Sequence, residues 1–376
     1  MTHHTQQRNI SVCLFVLVIT LYSFVWHSHF DVDAVFPRGD YPSDTSLNVT
    51  AAVKPHSPDD TADNESLRYI PHSTIQTWKE RDYLIVFGIL SIDIEARRRR
   101  RDLQRTTCWQ FPGVARRANN FNGAMLVLYV LARHPSHGYN YSAALLKEAD
   151  EYHDVVTLRT SDSLPTTNKV IGFEGHWGTE AGISMSRKVY FWFELALRVF
   201  PNVNYIAKGD DDMFLRVPQF LADLRTVPRR GIYWGRLGTH DNPVRFFFVV
   251  GFCATLSRDI VEHFVSYKPL QRLVYTPYTK GKETLFFSLF MQNEDMMVGF
   301  VLRKVLHHNI TFVREKRCRF HDFRSGRHKW RVTKNSVMVH HITEEDYDRL
   351  MNFSGYQRSI TPKTPVHRSW HLEFIC

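Results

Sequence analysis

Uncharged apolar runs and polar gaps alternate through the middle of this chain. Residues 83–90 (Tyr-Leu-Ile-Val-Phe-Gly-Ile-Leu) and 124–131 (Ala-Met-Leu-Val-Leu-Tyr-Val-Leu) contain no charged side chain. That is the pattern of parallel strands buried on both faces. Residues 154–158 predict a shorter third strand. Met185, Val189, Trp192, Ala196 and Phe200 recur at the spacing of one helix face, and Pro201 stops that helix. The run Val203-Asn204-Tyr205-Ile206-Ala207 predicts another buried strand. Strand, helix and strand in alternation predict an α/β domain with a mostly parallel sheet. Residues 231–236 and 245–256 are aromatic and β-branched and predict an antiparallel extension, while 257–265 and 295–307 read as helices.

The amino-terminal part follows other rules. Residues 10–26 are uncharged and largely apolar, just long enough at about 1.5 Å per residue to cross a thin bilayer. Arg8 precedes this run, and Asp31 and Asp33 follow it. The positive-inside rule then leaves residues 1–9 in the cytosol and puts the rest in a lumen. The bulky His27-Ser28-His29-Phe30 offers no small-residue cleavage site, which favours a retained signal anchor over a cleaved signal peptide. Residues 27–80 read as a flexible luminal stem, because Pro37, Pro42, Pro55, Pro58 and Pro71 interrupt any helix. Residues 81–376 are then the luminal globular domain. Asn48, Asn64, Asn140, Asn309 and Asn352 each begin an Asn-x-Ser/Thr sequon, in keeping with that placement. Cys108, Cys253, Cys318 and Cys376 would meet an oxidising lumen, and four cysteines leave three pairings open.

The formal net charge of +10 suits phosphorylated ligands, anionic membrane or nucleic acid. Basic residues are spread along the chain, and no zinc-finger, RNA-binding or helix-turn-helix signature is present, so nucleic acid is not an expected partner. The strongest chemical signal is Lys208-Gly209-Asp210-Asp211-Asp212-Met213-Phe214. Three carboxylates directly after a buried strand are costly unless paired. A hard divalent cation such as Mg²⁺ or Mn²⁺ is a natural partner, and the carboxyl end of an α/β strand is where ligands of such folds bind.

Three further groups complete the picture. Glu294-Asp295 precedes an apolar helical run. It could stabilise a helix start or supply the general base that removes a proton from an acceptor hydroxyl. His340-His341 ends a short apolar run, and a neutral imidazole is a common metal ligand. The arginines at 97–101 with Arg105 could grip a pyrophosphate.

Together these residues resemble the β1,3-glycosyltransferase family, in particular its trypanosomatid members that use UDP-galactose or UDP-N-acetylglucosamine. The resemblance covers about residues 83–345 and rests on three motifs in order. They are Ile89–Arg98 followed by Arg105 and Trp109, then Lys208–Phe214, then Glu294-Asp295-Met296-Met297-Val298-Gly299. It implies a GT-A nucleotide-binding fold, a UDP-sugar donor, Mn²⁺ or Mg²⁺, and inversion at the anomeric carbon. It further implies that Asp212 binds the metal, with His340 or His341 completing the site. Asp295 would be the base. Asp210 and Asp211 would lie against the donor or support the metal, and Arg97 and Arg98 would lie near the nucleotide. The acceptor would be a glycan on a glycoprotein or on a glycolipid such as a GPI anchor, in the Golgi or the ER. Cys108 stands where the family often has Thr, and the arginine segment before Trp109 is longer than usual. The rival expectation is an inactive luminal protein of the same fold that binds glycans or a partner enzyme.

Overall fold

The computed structural model describes residues 65–242, 244–307, 309–353 and 360–376. The expected cytosolic tail, the anchor at 10–26 and most of the stem lie outside these residues. Among the described residues no helix is long and apolar enough to cross a membrane.

The chain is α/β with a mixed, mostly parallel central sheet. Its core strands are β1 (Ile85–Leu90), β3 (Met125–Arg133), β4 (Val155–Ser161) and β5 (Tyr205–Asp210), with a short β2 (Val114–Ala115) beside β3. β1 pairs in parallel with both β3 and β5, and β4 pairs in parallel with β3. The chain therefore steps from β1 to β3 and β4 on one side, then returns to lay β5 on the other. The carboxyl ends of β1 and β5 form a topological switch point, where open α/β sheets bind ligands.

Side-chain alternation explains both layers. Ile85, Phe87 and Ile89 point into one core, where Phe87 meets the rings of Trp109 and Phe220. Gly88 faces the other side, and the Trp192 indole of α4 (Thr179–Val199) fills the space its side chain would occupy. The Trp192 Nε1–H donates to the carbonyl of Ala207 at 2.9 Å, which locks α4 onto β5.

The aromatic stretches form the expected antiparallel extension. β7 (Ile232–His240) and β8 (Phe246–Ser257) pair antiparallel, and β8 pairs antiparallel with β5. The sheet continues through β9 (Thr311–Glu315), β13 (His371–Phe374) and β12 (Val366–His367). A separate small sheet joins β6 (Met213–Leu215), β11 (Met338–His340) and β10 (Phe320–Asp322). The expected late helix is α9 (Glu294–Leu306).

One boundary departs from the expectations, and one element was not foreseen. The packed body reaches back to Glu65, into the stretch read as stem up to residue 80. Helix α1 (His72–Glu80) follows Pro71, and Trp78 is fully buried. Proline disrupts a helix interior but is tolerated at its start. The arginine run, in turn, is a helix, α2 (Glu95–Thr106). Of the three disulfide pairings left open, Cys318–Cys376 is formed, and Cys108 and Cys253 are buried free thiols.

Two outcomes follow. Gly88→Ala should drive a methyl into the Trp192 indole and cost about 1–3 kcal/mol. It would appear as a lower urea midpoint at unchanged slope, and a wild-type midpoint would show that Trp192 can yield. Peptide mapping without reduction should recover Cys318 linked to Cys376, with Cys108 and Cys253 alkylated only after denaturation. Any other linkage contradicts the fold of the carboxyl-terminal strands.

Candidate active site

Strand β5 carries the three aspartates to the switch point, and each side chain finds a different partner. Asp211 turns inward. Ser91 Oγ donates to it at 2.6 Å and the Arg97 guanidinium pairs with it. Asp210 lies 3.6 Å from Lys208 Nζ and 3.5 Å from His340 Nε2. Asp212 accepts from the Gly172 backbone N–H at 3.0 Å and lies 3.2 Å from His340 Nε2.

The small sheet brings in the histidines. Its register sets His340 opposite Met213 and beside Asp322. His340 Nδ1 is 2.8 Å from Asp322 Oδ1, and His341 Nδ1 is 2.8 Å from the Ser325 carbonyl. Ligand atoms of Asp212, His340 and His341 lie within 4.8 Å of one another. A metal-binding imidazole needs its other nitrogen held by an acceptor, and both histidines have one. The residues therefore fit a divalent cation, and both His340 and His341, between which the sequence left the choice open, lie within reach of Asp212. One carboxylate with two imidazoles suits a transition ion better than Mg²⁺.

Burial opposes charge on His340, but the carboxylates of Asp212, Asp210 and Asp322 outweigh it and hold its pKa well above the ordinary value. Burial likewise opposes ionisation of Asp212, and His340 and Arg97 overcome it, so its pKa lies well below the usual range. Lys208, Arg97 and His340 balance the three carboxylates, and a bound divalent cation would take the place of the His340 proton.

Glu294 and Asp295 occupy the first turn of α9. Glu294 accepts from the buried Lys208 Nζ at 2.9 Å. Asp295 accepts from the Met296 N–H at 2.7 Å and from the Gly251 N–H at 3.3 Å. Burial and the neighbouring Glu294 charge push the Asp295 carboxyl up to about 7, against the pull of Lys208 and the two backbone donors.

Two cavities meet at this wall. The first, about 610 Å³, lies along the carboxyl ends of the parallel strands and includes Leu90, Arg97, His134, Asp162, Trp177 and all three aspartates. The second, about 710 Å³, is lined by Asp295, Phe247, Gly251, Arg314, His341 and Trp370. Asp210, Glu294 and His340 border both. The segment between β4 and α4 is pinned over the cluster through Gly172. At φ +84° this residue tolerates no side chain, since a Cβ would lie 2.6 Å from the Ile342 carbonyl.

The expected site residues are thus brought together, with two qualifications. Arg98 does not face the cavities: it pairs with Glu95 at 2.8 Å and Asp102 at 3.5 Å on the solvent side of α2. The helix turns about 100° per residue, so Arg97 and Arg98 cannot share a face. Asp211 borders the first cavity, but its oxygens are already engaged by Ser91 and Arg97. Asp322, Gly172 and the Lys208–Glu294 pair had no assigned role in the sequence. A charged Lys208 beside an otherwise apolar strand run was the available signal for that pair, and Asp322 gave none.

Comparison with protein-family models finds no match for this chain, and comparison with curated proteins finds none either.

The raised Asp295 carboxyl has a measurable consequence. Its folded pKa of about 7 exceeds the ordinary 3.8, so the folded protein holds this proton more tightly than the unfolded chain. Its contribution to stability is full below the ordinary value and is lost as pH rises toward 7. The difference between wild type and Asp295→Asn in unfolding free energy should therefore fall between about pH 4 and pH 7. A difference independent of pH would mean that Asp295 ionises in its ordinary range.

Proposed function

We propose that this chain is an inverting, metal-dependent glycosyltransferase of GT-A type. It moves galactose or N-acetylglucosamine from UDP to the hydroxyl of an acceptor glycan on a glycoprotein or glycolipid. The observation that carries this reading is the meeting of two cavities at one wall. On it, a carboxylate–imidazole cluster at the end of β5 stands beside a carboxylate poised near neutral pH.

The first cavity is the place for the nucleotide sugar, since it follows the carboxyl ends of the parallel strands. Arg97 Nε is buried there without a protein partner among the described residues. A buried donor left unmade is costly, and a diphosphate oxygen would satisfy it. Asp212, His340 and His341 would hold Mn²⁺, which when bound neutralises charge on the leaving diphosphate. Asp322 and Ser325 keep the two imidazoles oriented.

The second cavity is the place for the acceptor. Asp295 takes the proton of the attacking hydroxyl as its oxygen bonds to the anomeric carbon. The bond from that carbon to the diphosphate breaks on the opposite face, and its electron pair leaves on the β-phosphate oxygen of UDP. One displacement inverts the centre. A base with a pKa near 7 combines a useful unprotonated fraction with basicity at neutral pH. Lys208 holds Glu294 beside it.

On this reading the protein is anchored in the Golgi membrane through residues 10–26, with its active domain in the lumen. The Cys318–Cys376 disulfide suits such an oxidising compartment.

The test begins with thermal unfolding of the full-length protein in a panel of UDP-sugars with and without Mn²⁺. One UDP-sugar should raise the transition only with Mn²⁺. Asp212→Ala should abolish that shift. Asp295→Asn should keep it yet lose transfer by about 10²-fold or more, the scale of a missing general base. A folded protein that responds to no UDP-sugar, or an Asp295→Asn variant with wild-type transfer, contradicts the reading.

A further inference from the structure

The second cavity contains a feature that the transfer chemistry does not use. Phe247 of β8 stacks on Trp370 in the turn between β12 and β13, with centroids 4.4 Å apart and planes at 24°. Trp370 is 46% exposed. It is held in place by the His371 ring at 4.3 Å and the edge of Phe312 at 6.2 Å. Its turn is closed by the Arg368 N–H donating to the His371 carbonyl at 2.8 Å. An indole this exposed and held by three neighbouring rings offers a rigid apolar surface for a ligand to cover.

Both rings line the same cavity as Asp295, and so do Arg314 and Arg327. Arg314 has a loose ion pair with Glu373 at 3.6 Å, and Arg327 is exposed. A flat apolar face flanked by guanidinium donors matches a pyranose ring, which has an apolar C–H face and a rim of hydroxyl acceptors. β8 and the helix α9 packed on it bound where that ring would lie. Gly251 donates its N–H to Asp295 at 3.3 Å, and Phe247 lies four positions earlier on the same strand. The pairing of β8 with β7 is irregular between Val249 and Ala254, so about 13 Å is the most that these four residues could span between platform and base. Gly299, one turn of α9 beyond Asp295, abuts the Phe247 carbonyl, so the platform lies about 6 Å along that helix from the base, the offset of a neighbouring sugar ring.

We infer that Phe247 and Trp370 form an acceptor subsite for a sugar ring beyond the one that is modified. The acceptor is then an oligosaccharide rather than a monosaccharide. The inference takes its orientation from the glycosyltransferase reading, but glycan binding by the platform can be measured without transfer.

The experiment uses the full-length protein and immobilised oligosaccharides ending in galactose or N-acetylglucosamine, beside the corresponding monosaccharides. The wild type should bind at least one oligosaccharide and prefer it to its terminal monosaccharide. Trp370→Ala should weaken that binding by about tenfold or more, and Trp370→Phe should restore most of it. The UDP-sugar thermal shift is measured on the same samples and reports an intact fold and donor site. Oligosaccharide binding by Trp370→Ala at wild-type strength overturns the subsite, as does a wild type that binds no oligosaccharide. Trp370-dependent glycan binding without any UDP-sugar shift keeps the subsite and removes the transferase reading. A UDP-sugar shift with glycan binding indifferent to Trp370 does the reverse.

Discussion

Charge compensation at the end of β5 is the constraint on which the rest of this structure depends. Asp210, Asp211 and Asp212 arrive together at the switch point of the sheet, and an unpaired buried carboxylate costs several kcal/mol. Their partners come from separate parts of the fold. Lys208 comes from the same strand, Arg97 and Ser91 from the segment after β1, His340 from the small sheet, and the Gly172 amide from the connection before α4. Removing one of these elements would strand a negative charge. The site is therefore also the place where the layers are fastened together.

The arginine helix α2 shows the same logic away from the site. Arg101 is fully buried and makes a two-point pair with Glu148 at 2.6 and 2.7 Å. Arg105 pairs with Asp154 at 2.8 Å and lies over the Tyr129 ring. Arg100 donates to the Ile342 carbonyl at 2.9 Å, next to His341. A run that reads as a grip for phosphate is largely internal fastening, with Arg97 as its link to the cavity.

How much of this was legible depends on which force sets each element. β1, β3 and β5 are set by apolar burial, which leaves continuous runs in the sequence. The aspartates follow directly from the end of β5, and Asp295 follows from the start of α9. The helix α2 was not legible, because its buried face is made of arginines satisfied by distant Glu148 and Asp154, and hydrophobic periodicity is blind to such a face. Asp322 was hidden for a related reason. It meets His340 through pairing of two three-residue strands, too short to leave a pattern. The start of the packed body was misplaced because the proline before α1 begins that helix instead of breaking it.

The small sheet has one more consequence, for the order of folding. β6 and β11 pair although about a third of the chain separates them. Such a pairing must overcome a large loop-closure entropy before its contacts give anything back. The aspartates come into place with the central sheet, but the histidines cannot join them until the chain has passed through β7, β8 and α9. A protein caught midway would own a nearly finished sheet and a bare row of negative charge, with neither cavity closed on its far side. Assembly of the carboxylate–imidazole cluster is thus a late event in folding, since its two halves come from parts of the chain that meet last.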